Sequence, residues 1–335
     1  MAPLLSVCIP TYNRARFLSA LLDSIYAQKT PEIEVVVSDN ASTDNTREIV
    51  KKYPDIIYRR SGKNLGFDAN VLRAVALAKG KYCWLVGDDD ALAEGALEYL
   101  LQNIKSNYAF YAVAADLCDG ELKPLQRGYA YIKHAKDGEV FDLSKTRGAL
   151  AYMARVKANM GLFGYLGTAV FQKNIWDKIT GADKVRGLGW VHVYMLWRFK
   201  TAFKYLARPV IKIRTLNYRD EGRIARLVVE FRGLYLTAAA ALGRGAVFEG
   251  FLAAVSRYVA PNSIPPLFVL NARDRKRWPQ LVEWINKYPY DESFKKSLNG
   301  KWRVSAVYFL REFLNRPSCR HIKKPFKFVK DLFYG

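Results

Sequence analysis

The chain has 335 residues, half of them hydrophobic, which is enough for a buried core in one large domain or two ordinary ones and excludes a disordered protein. Its net charge of +22 is unevenly spread: residues 1–120 carry −2, residues 121–200 +8 and residues 201–335 +16. A basic excess confined to the later part favours encounter with polyanions, so phosphate-bearing substrates, anionic lipid and nucleic acid are the candidate partner classes.

In chain order, apolar runs alternate with helix-period segments. Strands are predicted over residues 4–9, 33–38, 56–60 and 81–87, and helices over 15–28, 44–53 and 67–79. That alternation points to βαβ units and a mostly parallel sheet flanked by helices. Ser42 or Thr43 is expected to cap the second helix, with Asp44 in its first turn, where the dipole favours negative charge. A helix over 94–105 and a strand over 108–115 continue the sheet, and 119–145, rich in turn formers and charge, reads as a long loop or small β excursion. Residues 166–171 read as a further strand, followed by a helix that begins near Trp190, and from about 215 helical periodicity prevails to the end.

Cys8, Cys83, Cys118 and Cys319 are widely spaced, which fits reduced core thiols and a reducing, cytoplasmic compartment better than disulfides or a zinc site. The N-terminus enters a strand pattern at Leu4 with no basic region or cleavage site, so export is not expected. The most apolar later stretch, 233–258, is broken by Arg244, Glu249 and Arg257 and falls short of the roughly 18 to 20 uncharged residues a spanning helix needs. Any membrane association is therefore expected to be peripheral, on the inner face of the cytoplasmic membrane.

Ligands of open α/β sheets bind beyond the carboxyl ends of the strands, so the strand exits carry the functional reading. The four exits are Pro10-Thr11-Tyr12-Asn13-Arg14, then Ser38-Asp39-Asn40-Ala41-Ser42-Thr43-Asp44, then Gly62-Lys63-Asn64-Leu65-Gly66, and Gly87-Asp88-Asp89-Asp90. Three consecutive carboxylates repel one another unless a cation neutralises them, and hard oxygen ligands suit Mg2+ or Mn2+. Such an ion can bridge a diphosphate and stabilise it as it leaves. The other reading of the triplet is a solvated acidic turn. Asp39 and Asn40 can equally form an Asx-turn before the following helix, Gly66 can serve a tight turn, and Asn64 and Asn70 can tie the third loop together without touching ligand.

These motifs, in this order and with Asn70 after the third exit, resemble glycosyltransferase family 2 with the GT-A fold. The runs 57–60, 64–66 and 82–92 look most like the abequosyltransferase-type enzymes of bacterial O-antigen assembly. The resemblance is strong over 4–105 and weaker to about 205.

It implies a GT-A, Rossmann-like, mostly parallel sheet in residues 1–215, with nucleotide-sugar binding in 1–105 and the acceptor side in 106–215, followed by a helical basic region over 216–335. It also implies an inverting, metal-dependent transfer from a nucleoside-diphosphate sugar, CDP-linked if the abequosyltransferase-type likeness extends to the donor. The acceptor would be a polyprenyl-diphosphate-linked saccharide. Donor-binding residues would be Pro10, Thr11, Tyr12, Asn13, Asp39, Asn40, Ser42, Asn64, Gly66, Asn70, Asp88 and Asp89, with Asp39 accepting from the nucleobase. The family's usual pattern is Asp-x-Asp-Asp. Aligning its last two carboxylates on Asp89 and Asp90 puts Gly87 at the first position, whereas Asp88-x-Asp90 is the other register. Asp90 and Asp88 are the expected metal ligands.

The resemblance also implies a catalytic carboxylate at the start of a later helix. In this sequence His192 stands near that place, and an imidazole with an ordinary pKa of about 6.5 can serve as a base near neutrality. Asp183 is the alternative, and Trp190 and Tyr194 flank the histidine, either stacking on an acceptor sugar or filling the core.

Lys and Arg interleave with aromatics over 198–205 and 321–334, as in a helix lying on an anionic membrane surface, a nucleic-acid groove or a solvated basic face. The membrane surface is the expected partner and no specific nucleic acid is. Two other functions fit less well: a nucleotidyltransferase, which the first loop's lack of a glycine-rich phosphate-binding run disfavours, and a degenerate transferase that binds polyanions.

Overall fold

The computed structural model describes residues 2–129, 131–215, 233–234, 236–243, 245–251 and 254–255. The first half runs β1 (Leu5–Thr11), α1 (Ala15–Tyr26), β2 (Ile33–Asp39), α2 (Thr46–Val50), β3 (Ile56–Arg60), α3 (Phe67–Leu77) and β4 (Tyr82–Leu85). β1 and β4 are buried at every position, as strands covered on both faces by helices must be. α1 buries Phe17, Leu18, Leu21, Leu22 and Ile25, a helical stripe facing the sheet. Truncating one such leucine to alanine costs about 2–5 kcal/mol.

The second half comprises β5 (Ala91–Leu92), α4 (Ala96–Ile104), β6 (Phe110–Cys118), β7 (Pro124–Tyr129), β8 (Val140–Asp142), α5 (Thr146–Arg155), β9 (Ala169–Gln172), α6 (Lys173–Trp176), α7 (Val191–Arg198) and β10 (Ala202–Arg214). The described strands form one sheet in the order β3-β2-β1-β4-β9-β6-β10-β5, with β7 on β6 and β8 on β10. β3, β2, β1 and β4 are mutually parallel, while β9 lies antiparallel between β4 and β6. Thr11 pairs with Asp39 and Asp39 with Arg60, so three strands end level and their exit loops meet at one edge.

Several expectations are corrected. The helix expected over 44–53 is only α2, and neither Ser42 nor Thr43 caps it. The Ser42 hydroxyl instead accepts from the Asn13 N–H, while Asp44 accepts from the Thr46 N–H at 3.1 Å. The β excursion within 119–145 is realised as β7 and β8. The basic-aromatic run over 198–205 is no interfacial helix: it leads into β10, with Phe199, Phe203 and Tyr205 buried in the core. Phe203 stacks on Phe110 at 4.6 Å between centroids.

Beyond 215 the described residues 236–242 and 246–251 are helical, and Phe251 meets Trp197 edge-on at 5.6 Å. The basic run over 321–334 and Cys319 lie outside the described residues. Cys8, Cys83 and Cys118 are free and buried. No helix among the described residues is long and apolar enough to cross a membrane.

Candidate active site

The exits of β1, β2 and β3 are bound to one another by side chains. The Asn40 backbone N–H donates to the Thr11 carbonyl at 2.9 Å, and Asn13 Oδ1 accepts from the Thr43 N–H at 2.7 Å. Asn40 Nδ2 donates to Asn64 Oδ1 at 2.8 Å, and its Oδ1 accepts from the Leu65 N–H at 2.7 Å. Asn70, buried on α3, donates to the Ser38 carbonyl at 3.0 Å and the Thr11 carbonyl at 3.3 Å, and accepts from the Ser38 hydroxyl at 2.7 Å. Asn40, Asn64 and Asn70 thus spend their amides on the scaffold, which is the loop-tying alternative. Gly66 has φ +83°, a backbone conformation that side chains disfavour.

Asp39, fully buried at the end of β2, accepts from the Ser42 N–H at 2.8 Å and from the Tyr58 hydroxyl at 2.6 Å, with Arg60 Nε 3.8 Å away. Burial, then the hydrogen bond and charge of Asp39, push the Tyr58 hydroxyl well above its ordinary pKa, so it stays a donor. Both oxygens of Asp39 are thus held by donors of the scaffold. Tyr58 escaped the sequence analysis as a site residue, although alternation along β3 places it beside β2.

The acidic triplet follows β4. Arg14 reaches Asp89 at 3.5 Å. Arg214, the last residue of β10, donates its backbone N–H to Asp90 Oδ1 at 3.0 Å and its Nε to the Asp89 carbonyl at 2.7 Å. Its guanidinium also donates to the Gly120 carbonyl and lies over the Phe17 ring at 4.7 Å. Burial pushes Asp88 up to about 7, aided by the charge of Asp89 and opposed by Thr11, Arg14 and the Tyr12 N–H. Burial and Asp89 likewise raise Asp90 well above the carboxylate range. The Thr11 hydroxyl is buried and lies near enough to Asp88 to favour its charged form. Tyr12 is largely exposed at the rim and Pro10 is buried in β1.

These groups fit a divalent cation. The raised Asp88 and Asp90 mark a shortage of positive charge beside them, and Thr11 adds a further hard oxygen. No three His, Cys, Asp or Glu side chains converge on one point among the described residues. Asp90 and Asp88 would therefore hold the ion together with phosphate oxygens and water, as Mg2+ commonly binds. Gly87 leaves room for these carboxylates: a Cβ there would sit 2.9 Å from Asp90 Oδ2 and 3.2 Å from Asp89 Oδ1, so both side chains would have to shift.

On the other side, Trp190 precedes α7 and His192 is its second residue. His192 is buried, and burial lowers its pKa to about 4 against the opposing Gly164 backbone and Asp68 charge. Phe67, 46 % exposed, meets it edge-on at 6.2 Å, and Trp190 lies at 6.0 Å. Asp183 is exposed in a 3-10 turn, Ala182–Val185. Tyr194 departs from the expected acceptor contact: it is buried and its hydroxyl donates to the Thr180 carbonyl at 2.9 Å, so it packs the core.

Residues 6–175 match the sequence profile of Glycosyl transferase family 2. The chain belongs to that family. It is 33 % identical over 249 residues to the abequosyltransferase RfbV of Salmonella typhimurium, covering 68 % of this chain and 72 % of that protein. It is 35 % identical over 112 residues, 32 % of this chain and 36 % of the relative, to the GalNAc(5)-diNAcBac-PP-undecaprenol beta-1,3-glucosyltransferase of Campylobacter jejuni.

Two solved structures share the fold at 15 % identity. S. aureus TarS 1-349 in complex with UDP has a TM-score of 0.61 and covers 90 % of this chain and 82 % of its own. The mannosyltransferase PcManGT of Pyrobaculum calidifontis, in complex with GDP-Man and Mn2+, has a TM-score of 0.51 and covers 99 % and 85 %.

As a family 2 glycosyltransferase this chain uses a nucleotide-sugar donor, and its GT-A sheet brings Thr11, Asp39 and the acidic triplet to one edge. Sequence reasoning missed Tyr58, Arg214, Phe67 and Asp68. Arg214 had no local signal, because β10 itself was not recognised.

Proposed function

We propose that the protein is an inverting, metal-assisted glycosyltransferase that moves a sugar from a nucleoside diphosphate to a hydroxyl of a polyprenyl-diphosphate-linked saccharide in bacterial surface polysaccharide assembly. The observation that carries this reading is the triplet Asp88-Asp89-Asp90, flanked by Arg14 and Arg214, at the sheet edge that also presents Asp39. The two named relatives support the substrate class, one an abequosyltransferase and the other acting on an undecaprenyl-diphosphate-linked glycan. The first favours a CDP-linked deoxyhexose as donor. The excess of Lys and Arg after residue 120 supports peripheral contact with an anionic cytoplasmic membrane face.

In this reading Asp39, oriented by Ser42 and Tyr58, accepts an N–H of the nucleobase. Asp90 and Asp88 would hold a divalent ion, which would supply Lewis-acid stabilisation of the departing diphosphate. Arg14 and Arg214 add positive charge beside the same phosphates. The acceptor oxygen attacks the anomeric carbon as the bond to the diphosphate oxygen breaks, in one displacement with inversion. Of the two candidate bases for the hydroxyl proton, His192 is buried as it stands, and the burial that keeps it neutral also disfavours its protonated form and weakens it as a base, while Trp190 would stack on the acceptor sugar. Asp183 is the alternative base, but among the described residues no hydrogen bond or ion pair fixes its exposed side chain.

The test is calorimetry of the full chain against CDP, UDP, GDP and dTDP, each with Mn2+ and with EDTA, repeated on Asp90→Ala. One nucleotide binding only with metal, and not to the variant, is the expected result. Binding that ignores EDTA removes the metal from the scheme, and binding to no nucleotide removes the donor site.

A further inference from the structure

Asp68 lies in the first turn of α3, is 2 % exposed, and among the described residues faces no cation within salt-bridge distance. Its carboxylate is instead filled by three backbone donors from a segment more than a hundred residues away. Oδ2 accepts from the Gly187 N–H at 2.7 Å and the Gly189 N–H at 2.9 Å, and Oδ1 from the Val191 N–H at 3.0 Å. Val191 opens α7, so Asp68 supplies from another element the acceptor that an N-cap side chain normally provides, and none caps this helix locally.

The segment is shaped for this contact. Gly187 and Gly189 both have positive φ, +85° and +79°, which turn their N–H groups toward one carboxylate. Three N–H donors replace the hydration that burial takes from this carboxyl group. At its other end Asp68 is continuous with the donor loops: its neighbour Phe67 touches His192, and Gly66 is joined to Asn40 and Asn64.

We propose that Asp68 is a positioning residue that clamps the 187–191 segment and so sets Trp190 and His192 against the donor site. This rests on the reading of that segment as the acceptor side of the reaction. A carboxylate serves where an amide would not, because an Asn side chain keeps one acceptor oxygen and turns a donor toward N–H groups.

Full-length wild type, Asp68→Asn and Gly189→Ala are to be compared. The glycine variant disturbs the clamp without touching Asp68: its Cβ meets nothing within 4 Å, so only the left-handed backbone is strained. Three readouts are needed: amide hydrogen exchange over 187–191, calorimetric affinity for CDP and UDP with Mn2+, and steady-state hydrolysis of CDP-glucose and UDP-glucose.

The expected result for both variants is exchange over 187–191 at least tenfold faster, nucleotide Kd within twofold of wild type, and kcat at least tenfold lower with donor KM unchanged. Unchanged exchange in Asp68→Asn overturns the clamp, whether or not any donor is turned over. Faster exchange with unchanged kcat overturns the positioning role, and a weakened nucleotide Kd with raised KM moves Asp68 into the donor pocket. If Asp68→Asn fails to fold, Gly189→Ala decides by the same criteria. Wild type that binds no nucleotide defeats the donor-site reading instead, and the exchange result still judges the clamp.

Discussion

The Tyr58 hydroxyl donates to Asp39 Oδ2 at 2.6 Å, and together with the Ser42 N–H on Oδ1 it fixes the plane of a fully buried carboxylate. Tyr58→Phe removes one of the two anchors and leaves the ring. A hydrogen bond to a charged group contributes about 1.5–3 kcal/mol, so nucleotide affinity should weaken by roughly tenfold or more. Calorimetry with the cognate nucleotide and Mn2+ measures it. Affinity unchanged in Tyr58→Phe but abolished in Asp39→Ala would show that Ser42 and Arg60 suffice to orient the carboxylate.

Arg214 links the far strand of the sheet to the acidic triplet, and its role can be separated into packing and hydrogen bonding. Arg214→Met keeps an apolar stem over Phe17 but loses the donors to the Asp89 and Gly120 carbonyls. The backbone N–H to Asp90 remains. The expected loss is about 1–3 kcal/mol of stability in urea denaturation, with a weaker diphosphate affinity as the positive charge goes. A variant as stable as wild type would mean that the guanidinium contributes only through its charge.

What the sequence made legible was the half whose signals are local. Strand runs such as 33–38 and 56–60 are apolar and end in polar loops, and their exits could be read in register because each strand is followed by its own helix. The site's second half is assembled from a distance. β10 carries Lys204 between buried Phe203 and Tyr205, a period of two that its basic composition masked as an interfacial pattern. Arg214 reaches the triplet only because β10 pairs with β5. Asp68 and the glycines at 187 and 189 share no spacing that could join them. Tyr194 looked like a sugar-stacking ring beside His192, but a helix turns its neighbours to different sides, and this one points to Thr180.

Asn70 is a sharper case of a site residue that acts through the scaffold. Its amide donates to two carbonyls and accepts from one hydroxyl, all buried. Asn70→Ala should cost about 2–4 kcal/mol, from lost hydrogen bonds and the unpaired groups left behind. Asn70→Asp should cost more, because it sets an acceptor against the Ser38 and Thr11 carbonyls. Urea denaturation of both variants gives the order, and an Asp variant more stable than the Ala variant would contradict the hydrogen-bond assignment.

His192 makes stability depend on pH with a definite sign. Its folded pKa is about 4 because of burial, against an ordinary 6.5, so between those values the unfolded chain binds the extra proton. Stability from this group is therefore complete above about pH 6.5 and is lost as pH falls toward 4. At 1.36 kcal/mol per unit the full span is about 3 kcal/mol, of which about 2 kcal/mol should appear between pH 7 and pH 5. His192→Leu lacks this contribution while other titrating groups are retained. The difference in unfolding free energy between wild type and variant should therefore shift by about 2 kcal/mol in the variant's favour on going from pH 7 to pH 5. A difference that stays constant across that interval would mean that the imidazole reaches water or a partner in solution, and that its burial is not what keeps it neutral.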